Sequence, residues 1–280
     1  SIVGSVKMCI RDSSYTGVTT ISSGTLSVST LGDGSTNSGI GSSSNLPSNL
    51  VLSGGTLKYT GVTVSTDRGF TLTSGTTGTV EVSVSSTVLT ISGSSPSTSG
   101  ALTKSGSGTL MLSGENAYTG LTLISAGTLK LGSAGSGANT PLGTASSGTT
   151  VSNGATLDLN GYTLATSEAL TLSGSGSGSA GALTNSSATG VTYSGLLTLG
   201  SSASVVASSG NITLSNTGTV TGATYTLTLD GTSSGSSIAS IIGTTSGGLT
   251  KSGTGTWTLS GVNTYTGSTT VSAGTLQIGG

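Results

Sequence analysis

Eight carboxylates, Asp12, Asp33, Asp67, Glu81, Glu115, Asp158, Glu168 and Asp230, are the acidic inventory of this 280-residue chain. Paired acids of this kind could cleave a glycosidic bond by general acid and base work. No two of them lie fewer than ten residues apart, and only Asp158 and Glu168 come that close. The chain has no His, which rules out the usual nucleophilic triads and most zinc sites. Beyond residue 13, Arg68 beside Asp67 is the one local charge pair, and it reads as a surface salt bridge or solvated turn. Gly-x-Gly matches such as Gly174-Ser-Gly-Ser-Gly178 do not open helices, so they do not cradle phosphate. Lys104 and Lys251 read as solvent-facing strand-edge lysines that discourage unwanted pairing. No catalytic, cofactor-binding or metal-ligating residue is assigned, no cofactor is expected, and the chain reads as a non-enzyme.

Composition points the same way. Charged residues are 5% and aromatics 3%, with 49 Gly and a net charge of -1. Ordinary domains carry about 25% charged residues. A neutral chain offers no electrostatic footprint for nucleic acid. It contains no apolar run of about 18 residues that would cross a membrane as a helix. Asn185-Ser-Ser187 and Asn211-Ile-Thr213 fit the glycosylation acceptor pattern only as coincidence.

The elements that would hold any chemistry are short strands. Apolar residues alternate with Thr, Ser or Gly in Thr71–Thr73, Val80–Val84, Thr109–Leu112, Thr156–Leu159, Tyr225–Leu229 and Thr256–Leu259. A period of two is the strand signature, and branched Val, Thr and Ile favour it. Turns are expected at Ser53-Gly54, Ser113-Gly114, Asn153-Gly154, Asn160-Gly161 and Asp230-Gly231.

A repeat organises these strands. Residues 100–133 return without gaps as 247–280, with 22 of the 34 positions identical, and a truncated copy occupies 15–26. Repeats of this length indicate stacked units. Low charge fits, because stacked coils would align like charges into repelling ladders, while Thr, Ser and Asn form neutral hydrogen-bonded ones. The expected fold is all-β, a parallel β-solenoid. At about 22 residues per coil it would have on the order of twelve coils. At about 4.8 Å per coil these would make a single elongated rod of roughly 60 Å.

Lys7-Met-Cys-Ile-Arg-Asp-Ser13 is foreign to this composition and holds the only Cys. Back-translated, it resembles a transposase-end adapter used in DNA library preparation. Residues 1–13 are therefore expected to be non-native, leaving 14–280 as a fragment that starts inside a repeat. Removing Lys7, Arg11 and Asp12 leaves five basic and seven acidic residues, and Cys9 then carries no redox argument.

Leu249-Thr-Lys-Ser-Gly-Thr-Gly-Thr-Trp-Thr-Leu-Ser-Gly-Val-Asn-Thr-Tyr-Thr-Gly-Ser-Thr-Thr-Val-Ser-Ala-Gly-Thr-Leu276 resembles the autotransporter-associated β-strand repeat, also called the passenger-associated transport repeat. The copy at 102–129 matches as well, and 15–26 matches its second half. The resemblance implies a right-handed parallel β-helix, a passenger displayed at the surface of, or secreted by, a Gram-negative bacterium, and export through its own C-terminal outer-membrane β-barrel. It implies a stalk role that aids export and vectorial folding, with adhesion or autoaggregation through a host surface, neighbouring cells or glycans. A glycan-binding or polysaccharide-active β-helix and an ice-binding solenoid are the alternatives. The first would use Tyr118 and Tyr265, which are otherwise expected to cover a coil edge. The second would use Thr71–Thr73, Thr226–Thr228 and Thr256–Thr258 on one flat face.

Overall fold

The computed structural model describes residues 13–279. The adapter-like stretch lies outside the described residues except for Ser13, whose backbone pairs with that of Ser38. Among the described residues the regular elements are strands and two single 3₁₀ turns, Pro47–Asn49 and Ser177–Ser179. Two compact units are present, Ser1–Ser147 and Gly148–Gly280.

In the first unit the strands stack in three parallel ladders. One runs Thr25–Val28, Thr56–Tyr59, Thr77–Val82, Ala101–Ser105, Thr122–Ile124. A second runs Val64–Thr66, Val88–Ile91, Thr109–Leu112, Gly127–Leu131. The third is Thr19–Ile21, Leu50–Leu52, Thr71–Leu72. Alternation does what a half-buried pleat requires. In Thr109–Leu112 the Leu residues are buried and Thr109 and Met111 are not. Leu89, Leu110 and Leu129 thus stack coil on coil, as do Ile91, Leu112 and Leu131.

The second unit repeats the arrangement. Ala155–Asp158, Leu183–Thr184, Leu197–Ala207, Leu227–Gly231, Leu249–Lys251 and Thr269–Val271 form one ladder. Val191–Tyr193, Ile212–Leu214, Ser236–Ile238, Thr256–Leu259 and Thr275–Ile278 form another. The first half of Leu197–Ala207 also pairs with Leu170–Gly174, so this long strand joins two ladders through an irregularity. The outward positions are the neutral ladders expected of a low-charge solenoid, as in Thr192, Thr213, Ser237, Thr258 and Gln277.

The fold is therefore an all-β parallel β-solenoid of about ten turns. Twelve were expected because the coil was taken as about 22 residues. Observed steps run from 19 residues, Thr109 to Thr128, up to 31, Thr25 to Thr56. The longest step holds a loop from Leu31 to Asn49, and Arg68 fills it. Its guanidinium is buried and donates to the carbonyls of Gly32, Ser43, Asp33, Thr36 and Gly41 and to Ser43 Oγ. The surface-pair reading of Arg68 and Asp67 is thus corrected. Asp67 instead accepts from Gly34 N at 2.7 Å and Asn45 Nδ2 at 3.0 Å, closing the same loop.

Candidate functional site: the junction between coils

The two full repeats place their lysines inside the solenoid. Lys104 stands between Val80 and Ile124 in an inward ladder, and Lys251 stands between Leu229 and Val271 in the equivalent one. Both are fully buried, so the strand-edge expectation fails. The physical reason is hydrogen bonding. An ammonium has three donors, and a buried charge is tolerated only when they are used. Lys104 Nζ donates to the carbonyls of Ser105 and Gly106, both at 2.8 Å, and to that of Ala126 at 3.0 Å. Lys251 Nζ donates to Ser252, to Gly253 at 2.8 Å and to Ala273 at 3.3 Å. Two acceptors belong to the lysine's own turn and the third to the turn one coil on. Burial lowers the Lys104 ammonium to about 8, with Glu81 opposing, and lowers Lys251 with Asp230 opposing.

The second half of the repeat is a corner built on Tyr and Thr four residues apart. Tyr118 Oη and Thr122 Oγ1 share a hydrogen bond of 2.8 Å, and Thr122 Oγ1 passes one on to the Leu142 carbonyl at 2.8 Å. In the truncated copy, Tyr15 and Thr19 share one of 2.6 Å, and Thr19 Oγ1 donates to the Ile40 carbonyl at 3.4 Å. Tyr265 and Thr269 share one of 2.7 Å. Tyr118 is fully buried and cannot stack on a sugar, whereas it does cover the coil edge as expected.

What sits on the corner is a tight turn that the sequence reading did not identify. It is Ser38-Gly-Ile-Gly-Ser42 over Tyr15 and Thr140-Pro-Leu-Gly-Thr144 over Tyr118. In each, the first hydroxyl accepts from the N–H two residues on and donates to the glycine carbonyl. The residue after the glycine donates its N–H to the tyrosine carbonyl, at 2.7 Å from Ser42 and 3.0 Å from Thr144. Glycine is required: Gly41 and Gly143 have φ of +76° and +93°, and a Cβ would lie 2.9 Å and 2.6 Å from the tyrosine ring. The available signal was the near-equal spacing of the two turns behind their tyrosines.

Among the described residues no cluster of three or more His, Cys, Asp or Glu able to hold a metal occurs; Asp33 and Asp67 meet at the Arg68 loop, where Asp33 Oδ1 accepts from the Asp67 N–H at 3.0 Å. Glu81 pairs with Lys58 across two coils at 2.7 Å. Asp158 accepts from Asn160 N, Ser186 N and Ser186 Oγ. Glu168, its neighbour in sequence, is buried against Thr149 Oγ1 at 2.9 Å. Asn185 is buried too, accepting from Gly161 N and donating to the Thr189 carbonyl, and so offers no glycosylation site. Thr226–Thr228 and Thr256–Thr258 feed different ladders, which removes the flat threonine face. Among the described residues no helix is long and apolar enough to cross a membrane.

Residues 12–28, 102–131 and 249–278 match the passenger-associated-transport-repeat family. A curated relative, the adhesin BmaC autotransporter of Brucella suis biovar 1 (strain 1330), is 58% identical over 99 residues, which is 35% of this chain and 3% of that protein. The chain therefore matches only a small part of that relative's length. No solved structure matches the chain.

Proposed function

We propose that this chain, a stretch of autotransporter passenger carrying three passenger-associated transport repeats, acts as a non-enzymatic stalk whose repeats drive coil-by-coil folding during export. It is a surface-displayed or secreted protein of a Gram-negative bacterium. The observation that carries the proposal is the forward-reaching junction. Within each full repeat the lysine of one coil reaches a turn carbonyl of the coil stacked on it. A corner and its overlying turn then lock together. Stacked repeats contact only their neighbours, so such a chain can fold progressively as it emerges. Low charge makes passage of the extended chain through a pore less costly, because few ionic groups must leave water. The partner in export is its own C-terminal outer-membrane β-barrel. Contributions to adhesion or autoaggregation, on host surfaces, neighbouring cells or glycans, come from holding a binding region away from the cell; the adhesin name of the relative supports this.

The test is deletion of one repeat, residues 102–131, from the complete passenger in its own bacterium. Surface display is read by protease shaving and antibody binding on intact cells. Reduced display with a folded remainder is expected. Undiminished display would overturn the export role, and loss of cell adhesion alone would leave only the spacer role.

A further inference from the structure

Asparagine followed by glycine occurs twice in the chain, at Asn153-Gly154 and Asn160-Gly161. Such a pair can react with itself. The glycine nitrogen attacks the asparagine side-chain carbonyl, and the missing Cβ leaves that approach open. The two copies flank the strand Ala155–Asp158, yet the fold treats them differently.

Asn160-Gly161 is held at both nitrogens. The Gly161 N–H donates to Asn185 Oδ1 at 2.9 Å, and Asn185 is fully buried. The Asn160 N–H donates to Asp158 Oδ1 at 2.9 Å. The attacking nitrogen is thus occupied. Asn153-Gly154 is open. Both residues are exposed, and among the described residues the Gly154 N–H has no hydrogen-bond partner. One bond closes the turn, from the Ala155 N–H to the Ser152 carbonyl at 3.0 Å. No atom lies within 4 Å of where a Gly154 Cβ would stand. An exposed turn held by a single bond opens at little cost.

We propose that Asn153 is a self-modification site, converted through a cyclic imide to aspartate and isoaspartate. The Gly154 nitrogen gives up its proton and bonds to Asn153 Cγ. The Cγ–Nδ2 bond breaks, and the amide nitrogen leaves with that proton as ammonia. Water then opens the five-membered ring at either carbonyl, so no oxidant or reductant is needed. Each product places a new carboxylate on a chain with few charges. Asn153 Oδ1 lies against Gly174 of the next coil, so the charge meets that coil's turn. Isoaspartate also adds one carbon to the main chain between Thr149–Val151 and Ala155–Asp158.

The experiment keeps the full chain folded in mildly alkaline buffer, beside a sample unfolded in urea. Aspartate and isoaspartate at both sites are quantified by proteolytic mapping and mass spectrometry. In the folded chain Asn153 is expected to convert and Asn160 to lag at least about fivefold, the range of one hydrogen bond. In urea the two rates should approach each other, because the fold no longer separates them. A folded chain in which Asn153 stays intact, or Asn160 keeps pace with it, would overturn the proposal. So would a difference that persists in urea, which would place its cause in the neighbouring sequence.

Discussion

Lys104 Nζ lies 3.0 Å from the Ala126 carbonyl, so a side chain in an inward strand position ties its own coil to the next. The lysine sits where its ladder neighbours are Val80 and Ile124. Lys104→Met retains most of the apolar stem but leaves three turn carbonyls without their donor. A loss of about 2–4 kcal/mol is expected in urea unfolding, the range for unsatisfied buried acceptors. Equal or greater stability of the Met variant would show that the carbonyls find other donors.

Tyr118 and Tyr265 make the same bond to the threonine four residues on, but only the first bond is buried. Tyr118→Phe should cost about 1 kcal/mol and Thr122→Val slightly more, because the chain to the Leu142 carbonyl is broken in a dry corner. Tyr265→Phe should be close to neutral, since water replaces the lost partner. Thermal unfolding of the three variants separates these outcomes, and equal costs at both tyrosines would contradict the role given to burial.

Strands were legible wherever one face is buried and the other is not. Thr109–Leu112 and Thr256–Leu259 appear with the bounds that alternation predicts. Coil length was not legible, because the Leu31–Asn49 loop is set by Arg68, a residue more than twenty positions away. Alternation places Lys104 on the buried face with Leu102, against the general expectation that a charge faces solvent. The turns at Ser38 and Thr140 lie outside the repeat copies 15–26 and 100–133. Their meaning depends on a tyrosine about two dozen residues earlier, which no local pattern exposes.

Arg68 satisfies five carbonyls and a hydroxyl within one loop, which makes that loop a unit with a single keystone. Arg68→Ala is expected to remove about 3 kcal/mol or more, the cost of stranding several buried acceptors. Arg68→Lys should recover only part, since a point charge cannot span the fork of a guanidinium. Limited proteolysis should show new cleavage between residues 31 and 45 in the Ala variant. An unaltered digestion pattern would mean the loop is held by its own turns.

Glu168 gives the second unit a pH dependence with a definite sign. Burial raises its carboxyl from 4.5 to about 7, only partly offset by the Thr149 hydroxyl, and its Oε2 has no hydrogen-bond partner. The protonated form is thus the one the fold accommodates, and the backbone carbonyl of the same residue accepts from Tyr193 Oη at 2.7 Å. A group whose folded value lies above its unfolded value contributes stability that is fully present below the unfolded value and lost as pH rises through the folded one. Stability should therefore fall between about pH 4.5 and 7 by at most about 3 kcal/mol. Glu168→Gln keeps the size and the neutral state and should flatten that slope while matching the parent chain at pH 4.5. Denaturant midpoints at pH 4.5, 6 and 7.5 for both chains decide the matter; parallel curves would place the titration elsewhere.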